Sequence, residues 1–163
     1  MKKTMVVLMM LMLCLSGCQA VPTFETLGNI EIPNLTPSAR TVCLQLPEDA
    51  AVHTAAGEQG RIYFCDGYEI MVETVSAGNV DATLRSLTGF GRDDLTILQT
   101  KTGEITSYSC VWTSAGEAGD QISRTAILDD GNYHYCLTVT APAQEAGSLQ
   151  PVWQALFQSF SLG

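Results

Sequence analysis

Positive charge is scarce in this 163-residue chain: eight Lys and Arg stand against 17 Asp and Glu, a formal net charge of -9. Such a surface repels phosphate backbones, and no Lys/Arg cluster offsets it, which argues against nucleic acid as a partner. The same acidity offers nothing to anionic lipid headgroups. Histidine is reduced to His53 and His134, and no GxSxG, HExxH or phosphate loop occurs, so the nucleophile, base and orienter of covalent catalysis have no motif to carry them. CxxC is missing too, and the wide spacing of the cysteines fits neither a zinc site nor a redox centre. No internal repeat and no low-complexity segment is present, and no cofactor is implied.

What is there begins at the front. Lys2 and Lys3 precede an apolar run from Thr4 to Leu15, and then Leu15-Ser16-Gly17-Cys18. The run is too short to span a bilayer comfortably; the order of positive, apolar and small residues is that of an export signal. The four residues resemble the lipobox of bacterial lipoproteins, which implies a diacylglycerol on the Cys18 thiol and cleavage between Gly17 and Cys18. Only a thiolate is nucleophilic enough for that alkylation near neutral pH. The expected organisation is a signal peptide over 1–17, a lipid-anchored tether over 18–40 and a single domain over 41–163. Removing 17 residues of 163 leaves 146, one domain's worth, and removes Lys2 and Lys3, so 6 basic against 17 acidic side chains gives -11. Membrane attachment would then rest on acyl chains, two or more holding far better than one.

Residues 19–40 contain three prolines and no clear period, as a tether does. Val42, Leu44 and Leu46 alternate with polar neighbours until Pro47, predicting an opening strand, followed by a loop from Glu48 to Gly60. Arg61–Cys65 and Tyr68–Thr74 flank Asp66-Gly67, a hairpin signature. Asn79–Leu87 reads as a short helix capped by Asn79 and ended by Gly89. Strands are predicted at Leu95–Gln99, Ile105–Thr113, Gln121–Leu128 and Tyr133–Thr140, the last two turning at Asp130-Gly131 so that Leu128 faces Tyr133 and Ala126 faces Tyr135. Arg124 interrupts that apolar stripe. Val152, Leu156 and Phe160, widened by Trp153 and Phe157, predict a closing helix over Gln150–Phe160. The fold class is α+β, an antiparallel sheet of about six or seven strands with helices packed on it.

The ending YHYCLTVTAPAQEAGSLQPVWQALFQSFSL, preceded by a turn at DDG, is similar to the close of PsbP-like domains, the superfamily that also holds the Ran-binding Mog proteins and the bacterial lipoprotein DcrB. There too a Tyr- and Thr-rich strand ends in a small residue and Pro, and the last helix ends in a Ser-Phe pair, here Ser159-Phe160. LQLPEDA at 44–50 resembles their opening strand, although the Trp often found after its Pro is absent. The resemblance implies a PsbP-like sandwich over Thr41–Leu162 that acts by docking.

Four thiols remain for the mature domain: Cys43, Cys65, Cys110 and Cys136. Placing Pro47 opposite Arg61 puts Cys43 opposite Cys65, close enough for a disulfide; Cys110 and Cys136 both face Thr125 from opposite sides and stay apart. His134 is expected on the less buried face of its strand, and His53 in a loop. Asp93-Asp94 and Asp129-Asp130 read as turn chemistry rather than calcium ligands. The expected function is an extracytoplasmic, lipid-anchored binding or accessory module without catalysis, its partner an envelope protein or glycan. The alternatives are a cell-envelope enzyme, whose mark would be a polar pocket with perturbed carboxylates such as Glu69 or Glu73, and a purely structural envelope protein. An exposed aromatic patch drawn from Tyr63, Tyr68, Trp112 and Tyr135 would favour a binder, although core packing is the commoner role for such residues.

Overall fold

A computed structural model describes residues 38–54 and 60–163. The expected signal peptide, Gly17, Cys18 and the tether up to residue 37 lie outside the described residues. Local chemistry sets the first elements. Strands β1 (Val42–Cys43) and β2 (Ala51–Thr54) precede β3 (Gly60–Cys65) and β4 (Tyr68–Ser76). The last two close over Asp66-Gly67, with Cys65 opposite Tyr68 and Gly67 at φ 81°, the positive angle that an Asp-Gly turn needs. Helix α1 (Val80–Thr88) starts where Asn79 Oδ1 accepts from Asp81 N at 2.9 Å and stops at Gly89, whose amide donates to Arg85 O.

Beyond it run β5 (Leu98–Thr102), β6 (Ile105–Gly116), β7 (Gly119–Asp129) and β8 (Tyr133–Pro142), then helix α2 (Ala146–Ser159) and β9 (Ser161–Leu162). Seven strands form one antiparallel sheet in the order β2-β3-β4-β8-β7-β6-β5, and β1 pairs with β9 in a second, two-stranded sheet. The fold is α+β. Because side chains alternate across a strand, each central strand feeds two cores. One face packs Ile70, Leu137, Val139 and Tyr135 beneath Trp153, Leu156 and Phe160 at the α2 end of the chain. The other packs Cys110, Ile127 and Cys136 with Leu84 of α1. Complete burial of an Ile or Leu contributes about 1.5–3 kcal/mol, and β8, buried over most of its length, is the spine of both cores.

Several expectations are corrected. The opening strand does not lie on β3: β1 pairs with β9, Cys43 opposite Ser161, and the neighbour of β3 is β2, which arises from the stretch read as loop. Cys43 and Cys65 are accordingly both free thiols, as are Cys110 and Cys136. The β7–β8 register is two residues from the expected one, with Leu128 opposite Tyr135 and Asp129 opposite His134. The tip is Gly131-Asn132, because Asp130 turns its carboxylate inward to accept from Asn132 N and Tyr133 N; a shift of two leaves every face unchanged. Cys136 therefore lies opposite Ile127, and only Cys110 faces Thr125. The strand expected at Leu95 begins at Leu98, since a tight turn at Arg92–Asp94 precedes it and Leu95 and Ile97 pack into the α1-side core. His134, finally, is fully buried rather than on a wetter face, because α1 covers it and Thr83 Oγ1 meets its Nδ1 at 2.8 Å.

Candidate functional site

Arg124 sits where the sequence interrupts an apolar stripe, on the α2 face of β7, between Val111 of β6 and Val139 of β8. A cation in that row needs a reason. Helix α2 supplies part of one: its Phe157 ring lies 4.2 Å from the guanidinium carbon, a cation–π distance. No carboxylate pairs with Arg124 among the described residues, and no hydrogen bond from its guanidinium is made there. Burial alone lowers its pKa from the usual arginine value. Three other described arginines differ: Arg40 approaches Asp130, Arg61 donates to Gly60 O, and Arg92 binds Asp81 and covers Tyr108; Arg85 is exposed to solvent on α1, whereas Arg124 is half-buried.

Past Phe157 the same sheet face is open. Leu98 is 66% exposed and Val111 53% exposed, values that no core role explains. Register places Leu98 opposite Ser109 and Ser109 opposite Ala126, with Val111 and Arg124 in the adjacent row. Thr96, Leu98, Ser109, Val111 and Arg124 border a cleft of about 320 Å³. It combines one unpaired cation, two exposed aliphatic side chains and two hydroxyls, which are the parts of a recognition surface. A larger groove, about 820 Å³, runs between β1 and α2 past Cys43, Gln45 and Ser159. Among the described residues it carries no charged group, and Gln45 N already donates to Ser159 Oγ at 3.0 Å. Arg124 marks the better candidate.

No family model matches the chain, and no curated protein does. Solved structures similar to it include a protein from Bacteroides thetaiotaomicron, at 13% identity and TM-score 0.52, covering 75% of this chain and 45% of that one. This chain thus spans less than half the length of that protein. LpqN of Mycobacterium tuberculosis, described as involved in cell envelope biogenesis, is similar at 10% identity and TM-score 0.49 over 77% of this chain and 85% of its own. The Ran-binding protein Mog1p of Saccharomyces cerevisiae is similar at 10% identity and TM-score 0.47, over 74% and 89%. Each likeness is one of fold.

The other residues singled out in the sequence are placed as follows. Glu69 is exposed. Glu73 is half-buried, its carboxyl pushed up by desolvation, and its neighbour across the sheet is Cys136, whose thiol is likewise pushed up, first by burial and then by Glu73. Burial is the first cause in both, so the two groups form a desolvated polar contact within the sheet. Tyr68 and Tyr135 are core, Tyr63 packs against it, and Trp112 donates its Nε1 hydrogen to Thr125 Oγ1 at 3.2 Å. Phe64 and Phe90 are the more exposed aromatics, and no spacing in the sequence set them apart. The Asp pairs serve turns: Asp94 Oδ2 accepts from Gly91 N, Asp129 Oδ1 from Gly131 N. His53 lies on β2, with its side chain outside the described residues. Among the described residues, no helix is long and apolar enough to cross a membrane.

Arg124 itself was visible as the break in the stripe. Its lack of an acidic partner was not, because that depends on what α2 brings across the sheet.

Proposed function

We propose that the chain is a lipid-anchored, extracytoplasmic lipoprotein of the PsbP-like, DcrB-like kind, acting as a binding or accessory module without catalysis. Diacylglycerol on Cys18 would hold it at the outer face of a bacterial membrane, cleavage would fall between Gly17 and Cys18, and residues 18–40 would give the domain its reach. The observation that carries the binding part is the uncovered β5–β6 face, where Leu98 and Val111 remain exposed beside the unpaired Arg124. Exposed aliphatic side chains next to a half-buried cation offer a partner both apolar area and a charge to pair with.

The test has two arms. Metabolic labelling with a radioactive fatty acid should mark the wild-type chain and not Cys18→Ser, which should also leave the membrane fraction; equal membrane retention of the variant removes the anchor. A benzophenone side chain introduced at Val111 in cells should give discrete photoadducts to a partner, and one at Ser86, on an exposed position of α1, should not. Identical adduct patterns at the two positions, or none at either, overturn the docking surface.

A further inference from the structure

The cleft beside Arg124 has a chemistry narrower than docking in general, and its ligand class follows from three properties. Its charge is one: a single guanidinium, with no second cation among the described residues on its walls. A planar fork with unused donors matches a carboxylate in bidentate fashion. A dianion such as a phosphate monoester would meet one positive charge on a chain whose formal net charge is -9, so the monoanion is favoured. The second property is the apolar floor. From Arg124 on β7, Leu98 lies two strands over and one row along, roughly 12 Å between Cα atoms at ordinary sheet spacings, with Val111 between them in register. The third is size. About 320 Å³ is at the lower end of small-molecule sites and has room for one extended chain.

We infer, resting on the docking reading above, that this cleft takes a straight-chain carboxylate, with the headgroup on Arg124 and the chain laid over Val111 and Leu98. Ser109 and Thr96 offer hydroxyls at the rim. Phe157 holds the guanidinium plane from the α2 side at 4.2 Å, which fixes the cation without using its donors. Lysine in its place would keep the charge and lose the fork.

The experiment uses membranes carrying the full chain and a fatty acid with a mid-chain diazirine. After irradiation, adducts mapped by mass spectrometry should fall on peptides containing Leu98 or Val111. Unlabelled laurate should compete, methyl laurate should not, and dodecyl phosphate should compete at least several-fold more weakly. Arg124→Gln should lower labelling by about tenfold or more, the loss of one charge-assisted contact, and Arg124→Lys should keep part of it. Should Arg124→Gln lose its near-UV circular dichroism, Val111→Glu gives the same loss from an exposed rim position. Labelling unchanged in Arg124→Gln, competition by the methyl ester as good as by the acid, or adducts spread evenly over the domain overturn the inference. A partner captured at Val111 without any fatty-acid adduct also overturns it and leaves the docking reading standing; failure of both removes both.

Discussion

The backbone amide of Arg40 donates to the Tyr135 hydroxyl at 2.8 Å, and that hydroxyl donates to Asp130 Oδ2 at 2.9 Å. The end of the expected tether is thus fastened to the centre of the sheet by a phenol that reaches from the core to the β7–β8 turn. Asp130 completes the arrangement by accepting from two turn amides and lying 3.6 Å from the Arg40 guanidinium.

Removing the phenol oxygen should therefore cost stability out of proportion to its size. Tyr135→Phe leaves Asp130 Oδ2 and the Arg40 amide each short of a partner, so urea melts should show a loss of about 1–3 kcal/mol. An unchanged midpoint would show that water replaces the hydroxyl freely.

The same cluster gives a pH dependence of defined sign. Burial opposes ionisation of Asp130, but the hydrogen bonds from Asn132 N, Tyr133 N and Tyr135 Oη, with Arg40 nearby, outweigh it and hold its carboxyl below the usual carboxylate range. A depressed folded-state pKa contributes stability that is fully present above the unfolded value of about 3.9. That stability is lost as pH falls through the lower, folded value. The stability gap between wild type and Asp130→Asn should be constant from pH 7 to 5 and should close below pH 4. Urea midpoints at each pH measure it, and a gap that widens in acid contradicts the assignment.

Thiol reactivity should separate by burial. Cys43 is exposed, whereas Cys110 and Cys136 are 4% and 1% exposed with thiols pushed up by burial. Maleimide applied to the native chain should modify Cys43 within minutes and leave Cys110 and Cys136 until denaturant is added, with Cys65 between. Peptide mapping reads the order, and a Cys43 that resists maleimide but reacts after reduction would restore the disulfide.

His134 offers the fourth case. Its ring is fully buried, with Nδ1 on Thr83 Oγ1 at 2.8 Å and Nε2 only 3.8 Å from Asp129 Oδ2, too long for a hydrogen bond. Thr83→Val keeps the shape of the contact and removes the one hydrogen-bond partner that His134 has among the described residues, so a loss of about 1–3 kcal/mol is expected in chemical denaturation. Since Thr83 belongs to α1, hydrogen exchange of the α1 amides should accelerate more than that of β8.

What could be read in advance was what neighbours in sequence decide. The Asp66-Gly67 hairpin, the Asn79 cap and the Gly89 stop depend on a few adjacent residues, and each stands where the pattern places it. The closing helix starts earlier than expected, at Ala146, because a turn at Ala143–Glu145 runs into it and Pro151 is accommodated inside. The strand order at β3 and the Cys43–Cys65 pairing share one cause. Whether β1 or β2 lies on β3, and so whether Cys43 meets Cys65, depends on competition between segments far apart in the chain, which local alternation does not rank. In β8 the residues are buried on both faces, so the alternation carries no signal for which side is wetter and does not reveal that His134 is buried.

By itself, the order of residues determined the α+β class, the hairpins, both helices and the singular position of Arg124 in an apolar stripe, because periodicity and turn chemistry act over a few residues. Only the tertiary structure decided that β9 comes back to claim β1, that Arg40 reaches Tyr135 and Asp130 across the fold, and that Phe157 meets Arg124 while no carboxylate of the described residues does. Those outcomes are set by which distant surfaces bury most area and satisfy most polar groups at once, a global balance that no local pattern encodes.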